Sequence, residues 1–293
     1  MFPNRKWDFQ LFTALRNGSP ALLLRLFLRH RHLLKGISQP GLDDFVTQGV
    51  LDTIREKRPD LLLVHLTDLD TTRHDYGVHS PEAYAAIDRL AVRFENIVQQ
   101  LKAQQLYEDT TVVILGDHGQ LDFHTKVPIN EKLAEGGWLD YVKEKPRHWK
   151  AFAKSNGGSA YIYSQNKDIQ GLGQYLHALQ KDPANGIAGI LTAKEAAAEG
   201  ADPQCAFMLE AKVGYTFIDF LGAVDKAYKA DHGYHPTDKA GFETFYVMAG
   251  PEIKKGFVIE EMSLLDIAPT WAKLLGLPMK DVEGRALDVF TKN

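Results

Sequence analysis

An apolar run ends directly in an acid and a histidine in the stretch TTVVILGDHG, residues 110–119. Threonine, valine and isoleucine favour β-strands, and the glycines on either side of the Asp-His pair permit a tight turn. An acid and a histidine at the end of an apolar strand are poorly placed for a core. Open α/β sheets bind their ligands where strands end. The stretch therefore predicts a strand that leads into a binding site at Asp117 and His118.

A second apolar run, DLLLVHLTD at residues 60–68, precedes the first and is separated from it by a helical pattern. The run is almost continuously apolar, which is typical of a strand buried on both faces. Ser80 and Pro81 suit the N-cap and the first helical position, and apolar residues then recur every three or four positions to about Gln105. A strand, a helix and a strand in this order predict a right-handed crossover. The sequence therefore predicts an α/β fold with a mostly parallel sheet covered by helices on both faces.

The middle of the chain differs from its flanks, because its apolar runs are shorter and glycine and polar residues are more frequent there. We interpret residues 140–229 as a smaller inserted α+β subdomain. Residues 1–139 and 230–293 are then the α/β core that carries the candidate site.

Two elements are predicted in the C-terminal part of this core. GFETFYVMAGPEIKKG, residues 241–256, predicts a buried strand. SLLDIAPTWAKLLGL, residues 263–277, predicts a helix that begins at Ser263 and ends at Gly276, since serine suits an N-cap and glycine a helix end.

Composition excludes several classes of protein. The 293 residues carry a formal net charge of −4, which argues against a broad basic face for nucleic acid. The single cysteine, Cys205, excludes an internal disulfide framework and a cysteine-rich zinc site. The apolar run at residues 21–28 is short and contains Arg25, so it neither spans a bilayer nor serves as a signal core. The sequence predicts a cytoplasmic protein with no nucleic-acid or membrane partner.

An acid and a histidine stand four residues apart in DLDTTRHDYG, residues 68–77. On a helical turn, Asp70 and His74 would share one face, so that a carboxylate oxygen and an imidazole nitrogen converge on one cation. A surface loop with an N-capping aspartate is the alternative interpretation. Asp68 could replace Asp70, although the four-residue spacing favours Asp70.

A second Asp-His-Gly occurs in DHGYHPT, residues 231–237, where His232 and His235 are both possible ligands. A histidine in a loop is more often solvated, and a turn with a hydrogen-bonded histidine would also explain Asp117 and His118. Taken together, however, these segments offer two or three carboxylates and three histidines. That set suits Zn²⁺ or Mn²⁺ and suffices for two ions, and paired cations are suited to phosphoryl transfer.

Four segments of the sequence resemble the alkaline phosphatase superfamily, in particular its nucleotide pyrophosphatase/phosphodiesterase branch. They occur in the family's order, at residues 68–77, 107–119, 231–237 and 263–277. The resemblance implies a metal-dependent hydrolase that acts on a small-molecule phosphate ester, of the phosphodiester or nucleotide pyrophosphate type. It implies two divalent ions, Zn²⁺ with Mn²⁺ as the alternative.

The resemblance also implies which residues hold these ions. Asp70, His74 and His232 correspond to the ligands of one ion, and Asp117 and His118 to ligands of the other. His235 and Asp68 are left as residues that support the ligands or contact substrate.

The sequence departs from the family pattern at its start. The family places an aspartate and a Thr or Ser nucleophile far ahead of the Asp-x-x-x-His segment, whereas 69 residues precede Asp70 here. Ser38, Thr47 and Thr53 stand in contexts typical of capping or helix-surface residues. We therefore expect a chain that is N-terminally truncated, with its nucleophile upstream of Met1, and inactive alone.

Such a truncation would have further consequences. A sheet without its first strand would expose apolar surface, which a homo-oligomer could cover. A lost N-terminus could also have carried a signal peptide. Two alternatives remain: a non-catalytic homologue that binds metal or phosphate, and a phosphomutase or transferase of the same superfamily.

Overall fold

The structure is a computed structural model that describes residues 13, 15–143, 145–165, 169–221, 228–236 and 239–291. Residue contacts divide the chain into two compact units, Met1–Tyr107 and Glu108–Asn293. The bounds predicted for an inserted subdomain stay a prediction.

The α-helices of the first unit whose ends the structure describes lie before, at and after the Asp-x-x-x-His segment. They are α1 (Pro20–His30), α2 (Gly41–Lys57), α3 (Asp68–Tyr76) and α4 (Pro81–Ala103). The predicted long helix is α4, and its predicted start is confirmed. The Ser80 hydroxyl oxygen accepts the N–H of Ala83 at 3.1 Å, and Pro81 occupies the first helical position.

The strand predicted at residues 60–68 is not formed. Residues 61–67 carry no regular secondary structure, and α3 begins at Asp68. The side chains from Leu61 to Val64 are exposed, up to 67% for Leu63, so the prediction of burial on both faces is wrong. A β-strand is stabilised by hydrogen bonds to a neighbouring strand, and an apolar run does not by itself supply that neighbour.

The strands described in the second unit are short. They are β1 (Val112–Leu115), β2 (Leu121–Pro128), β3 (Leu139–Val142), β4 (Lys145–Trp149), β5 (Ala151–Ser155), β6 (Ser159–Ser164), β7 (Ile187–Thr192), β8 (Phe207–Ala211), β9 (Gly214–Ile218), β10 (Ala230–Asp231) and β11 (Tyr246–Ala249). Its α-helices are α5 (Ile129–Glu135), α6 (Ile169–Lys181), α7 (Ala193–Ala198) and α8 (Ile267–Leu274).

Pairing between the described strands is mixed. β1 runs antiparallel to β11, β2 lies between β10 and β9, and β5, β6, β8 and β7 form a four-stranded antiparallel sheet in that order. Among the described pairs, β2 with β9 is the parallel one. The α/β class is confirmed, but the sheets are mixed where a mostly parallel sheet was predicted, because the segment expected to give the first parallel strand forms none.

The strand and the helix predicted in the C-terminal part of the chain are both present. β11 is a strand as predicted, although its exposure alternates and Val247 is exposed, so its burial is less complete than expected. A 3-10 turn capped by the Ser263 hydroxyl leads into α8, and Gly276 adopts a φ of 64° just beyond it. Glycine reaches that left-handed region at no steric cost, which ends the helix.

The main buried apolar cluster of the second unit is formed by β5, β6, β8, α5 and α6, with Ile162, Leu176 and Leu209 fully buried. Tyr234 and Phe242 belong to the same cluster. The segment after β10, which contains the second Asp-His-Gly, is therefore anchored on this core. Among the described helices, none combines the length and apolarity needed to cross a membrane.

Candidate metal centre

Asp70 and His74 lie on one face of α3, as the four-residue spacing predicts. An Asp70 carboxylate oxygen is 3.4 Å from His74 Nε2, and the His74 side chain is mostly buried. The helix therefore presents an oxygen and a nitrogen donor side by side, a combination that suits Zn²⁺ or Mn²⁺.

Asp117 and His118 follow β1 directly, also as predicted, and His118 Nε2 is 3.7 Å from Asp117 Oδ2. The other ring nitrogen, Nδ1, lies 3.1 Å from the carbonyl oxygen of Gly119. A carbonyl only accepts hydrogen bonds, so this contact is a hydrogen bond when the ring proton lies on Nδ1. The neutral ring then keeps its lone pair on Nε2, which is the tautomer that a metal-binding histidine needs.

Close backbone packing explains the glycines that flank this Asp-His pair. A Cβ on Gly116 would lie 2.1 Å from the Thr244 hydroxyl, and a Cβ on Gly119 would lie 1.9 Å from the carbonyl oxygen of Phe242. The segment that leads into β11 thus lies against both glycines. At Gly119 the obstructing atoms are backbone, so a larger residue there would displace the Asp-His pair, whereas at Gly116 the obstructing atom is a side-chain hydroxyl.

His232 lies next to His118 within the second unit, with ring centroids 4.1 Å apart. Two imidazoles this close bring basic nitrogens into one small region, as neighbouring cation sites require. Asp70 and His74 belong to the first unit, whereas Asp117, His118 and His232 belong to the second.

The second Asp-His-Gly differs from the first in what its aspartate does. One Asp231 carboxylate oxygen accepts the backbone N–H of His232 at 3.0 Å, and the other accepts the Thr216 hydroxyl at 2.7 Å. The carbonyl of His232 accepts the N–H of Gly158 at 2.7 Å. Asp231 and Gly158 therefore hold the backbone that carries His232.

His235 is surrounded by acidic groups. Its backbone N–H donates to a Glu210 carboxylate oxygen at 2.9 Å, and its ring lies 3.6 Å from Glu199. The same Glu210 oxygen accepts the ammonium of Lys239 at 2.8 Å. Burial of the Glu210 carboxyl raises its pKa despite the hydrogen bond from Lys239, because desolvation disfavours the charged form.

Asp68 is fully buried and is held by arginines of α4. Arg89 donates to both of its oxygens, at 2.7 and 2.8 Å, and Arg93 donates to one at 2.8 Å. Burial opposes ionisation of Asp68, but the hydrogen bonds from both arginines outweigh it and lower its pKa. The carboxylate thus has cationic partners within its own unit.

The hydroxyls considered as nucleophiles are engaged locally. Ser38 donates to the carbonyl of Lys35, and Thr53 donates to that of Gly49. Thr47 is buried and donates to the carbonyl of Asp43. The contacts of Ser38 and Thr53 fit the predicted roles as capping or helix-surface residues, whereas Thr47 is buried, so a surface position is wrong for it.

Sequence reasoning missed the residues that hold the candidate ligands in place. Arg89 and Arg93 stand four residues apart on α4, a spacing that signals a shared face but names no acidic partner. Asp231 is adjacent to His232 in sequence, and that adjacency alone gave no sign of its bond to Thr216.

Comparisons with known proteins identify the family of the chain. The type I phosphodiesterase/nucleotide pyrophosphatase family model matches residues 7–235. A stretch of 69 residues is 33% identical to venom phosphodiesterase 2 of Crotalus adamanteus and 32% identical to venom phosphodiesterase CdcPDE of Crotalus durissus collilineatus. Each match covers 24% of this chain and 8% of the venom protein.

Solved structures share the fold. Murine ectonucleotide pyrophosphatase/phosphodiesterase 5 gives a TM-score of 0.66 at 18% identity, over 85% of this chain and 64% of that one. The human protein gives 0.66 at 17% identity with the same coverage. An inactive variant of the murine protein in complex with AMP gives 0.64 at 19% identity, over 83% and 61% of the two chains.

The chain thus spans less than two thirds of the length of these relatives. The family model nevertheless covers most of this chain, including the whole Asp-x-x-x-His segment and both Asp-His-Gly segments. The chain therefore belongs to the type I phosphodiesterase/nucleotide pyrophosphatase family.

Proposed function

We propose that this chain is part of a metal-dependent hydrolase of phosphate esters, of the phosphodiester or nucleotide pyrophosphate type. The observation that carries the proposal is the pairing of donor side chains, Asp70 with His74 in one unit and Asp117 and His118 beside His232 in the other. Membership of the family supports it. The AMP complex of the murine relative supports a nucleotide as the class of small molecule bound.

The residues present suit two divalent cations. Asp70, His74 and His232 would hold one ion, and Asp117 and His118 would contribute to the other. Zn²⁺ is the proposed metal and Mn²⁺ the alternative, because both accept imidazole and carboxylate ligands. When bound, such a pair neutralises charge on the phosphate oxygens during displacement.

The chain's own residues prepare these donors. The Gly119 carbonyl favours the tautomer of His118 with its proton on Nδ1, which leaves Nε2 to bind a metal. Asp231 and Gly158 fix the backbone on both sides of His232, so little conformational entropy remains to be lost on binding. A nucleotide ester substrate would bring its phosphate to these donors.

A second candidate function is a metal- and phosphate-binding homologue without turnover. The observation that favours it is the engagement of the Ser38, Thr47 and Thr53 hydroxyls by nearby backbone carbonyls. A hydroxyl that donates its proton to a backbone carbonyl is not, in that arrangement, donating it to a general base, as an activated nucleophile does.

Metal binding and hydrolysis distinguish the two functions. The purified chain is loaded with Zn²⁺ or Mn²⁺, its bound metal is counted by mass spectrometry, and binding of AMP and hydrolysis of bis(p-nitrophenyl) phosphate are measured. His232→Ala tests the site, and His177→Ala, which removes an exposed histidine of α6, is the matched control.

We expect two bound ions and AMP binding that requires them, with one ion lost in His232→Ala and none in His177→Ala. Turnover that disappears only in His232→Ala supports the hydrolase. Ion and AMP binding without turnover fits the binding homologue and also a hydrolase whose nucleophile this chain does not supply. A folded chain that retains no divalent metal would contradict both.

A further inference from the structure

Charged side chains of three helices of the first unit meet in a partly buried group, which we call the arginine cluster. It consists of Asp43 and Asp44 on α2, Asp68 on α3, and Arg89 and Arg93 on α4. The exposed fractions are 1% for Asp43, 0% for Asp68 and 4% for Arg93. Burial of charge on this scale is costly unless every group is paired.

Arg93 links all three helices. Its guanidinium donates to Asp68 at 2.8 Å, to Asp44 at 2.8 and 3.0 Å, and to the carbonyl of Pro40 at 3.1 Å. Arg89 adds its two-point contact with Asp68. The planar guanidinium fork fixes direction as well as distance, unlike a point charge.

Asp43 caps α3 from a different helix. Its two carboxylate oxygens accept the backbone N–H groups of Thr67, at 3.1 Å, and Asp68, at 2.9 Å. The first N–H groups of a helix lack partners within the helix, so these two bonds fix where α3 begins. An anionic cap at this end is also favoured by the helix dipole.

The buried side chains of α3 are polar. They are Asp68 and Thr72, and the Thr72 hydroxyl lies 3.4 Å from an Asp68 oxygen. A surface helix is ordinarily held in place by a buried apolar stripe, and the described α3 buries no apolar side chain. Its position and its rotation about its own axis therefore depend on the arginine cluster.

We propose that Asp68, clamped by Arg89 and Arg93, is a positioning residue that sets the orientation of Asp70 and His74 for metal binding. The inference rests on the proposed function, since it takes these two residues as ligands. Asp70 is two residues beyond Asp68 and His74 six, so a rotation of α3 would move both donors together and change the direction in which they face.

A matched pair of variants tests the proposal in the full chain. Asp68→Asn removes the charge at the centre of the arginine cluster. Asp52→Asn removes a similarly buried carboxylate that pairs with Arg29 and Arg55 on α1 and α2, where no candidate ligand lies. Zn²⁺ affinity is measured by competition with a chelator, Co²⁺ is used as a spectroscopic probe of ligand geometry, and thermal unfolding reports stability.

We expect Asp68→Asn to bind Zn²⁺ about 10-fold or more weakly and to alter the Co²⁺ visible spectrum, as loss of groups that orient metal ligands commonly does. Asp52→Asn should lose comparable stability and bind Zn²⁺ within about twofold of the unaltered chain. Unchanged affinity in Asp68→Asn, or equal weakening in both variants, would overturn the proposal.

Arg89→Met is a second variant for the case that Asp68→Asn does not fold. The side chain of Arg89 is partly exposed, and Arg93 still holds Asp68 in its absence. We expect Arg89→Met to bind Zn²⁺ several-fold more weakly than the unaltered chain, and Arg89→Lys to show a smaller loss. Unchanged Zn²⁺ binding in Arg89→Met would overturn the inference. Absence of metal binding in the unaltered chain would instead overturn the proposed function.

Discussion

Replacing Gly119 by alanine is the sharpest test of how the Asp117–His118 turn is built. The added Cβ would lie 1.9 Å from the carbonyl oxygen of Phe242 and 2.5 Å from its carbonyl carbon. Ordinary van der Waals contact begins near 3.4 Å, so the two segments must separate by about 1.5 Å. The obstructing atoms belong to the backbone of Phe242, which cannot turn away as a side chain could. The Phe242 side chain is part of the buried cluster and anchors that backbone.

The expected cost of Gly119→Ala follows from this geometry. Overpacking a well-packed region typically costs about 1–3 kcal/mol, and we expect a loss of about 3 kcal/mol because backbone must move. The displacement also carries His118 with it, so one bound metal should be lost. Urea unfolding followed by circular dichroism gives the stability, and metal counting gives the stoichiometry.

Gly189→Ala is the control for this experiment. A Cβ at Gly189, on β7, meets nothing closer than 3.7 Å, and alanine costs less conformational entropy than glycine. We expect this variant to be as stable as the unaltered chain or more stable by about 0.5 kcal/mol. If Gly119→Ala unfolds at the same urea concentration as Gly189→Ala, the close approach of Phe242 is not what requires glycine.

Three further predictions concern single contacts. Ser80→Ala removes the N-cap of α4 and should cost about 1 kcal/mol in thermal unfolding, whereas Ser80→Asp should retain most of that stability; equal losses would refute the capping role. Asn130→Ala breaks two buried hydrogen bonds to the backbone of Ala153 and should cost about 2–4 kcal/mol in urea unfolding. The control Asn17→Ala, at an exposed position, should cost less than about 0.5 kcal/mol. Similar losses in both variants would contradict the stabilising role of the Asn130 hydrogen bonds. The raised pKa of Glu210 means that its contribution to stability is present at acid pH and is lost as the pH rises through that raised value. Glu210→Gln should therefore lose less stability than the unaltered chain between acid and neutral pH. Unfolding measured at several pH values tests this, and parallel stability profiles of the two chains would refute it.

Local sequence signals sufficed for elements whose contacts are near in sequence. The start of α4 was predictable because Ser80 and Pro81 act on the turn that follows them. The shared face of Asp70 and His74 was predictable because helical spacing alone sets it. The metal-ligand assignment as a whole stays a prediction from family resemblance.

Contacts between distant segments were not predictable in this way. The apolar run at residues 60–68 indicated burial, but whether a strand forms depends on a partner that a single segment does not reveal. Arg93 lies among the buried residues of α4, where periodicity favours an apolar side chain. Only the fold shows that Asp44 and Asp68, from two other helices, compensate its charge.

The arrangement of strands in the second unit bears on the order in which it folds. The sheet of β5, β6, β8 and β7 joins segments that are close along the chain, whereas β2 must wait for β9, which follows all of that sheet. Closing the larger loop costs more entropy before any contact compensates it. We therefore expect amides of β5 and β6 to become protected from hydrogen exchange earlier during refolding than those of β2. Since β2 follows His118 and β10 precedes His232, the two histidines would be brought together among the last events of folding.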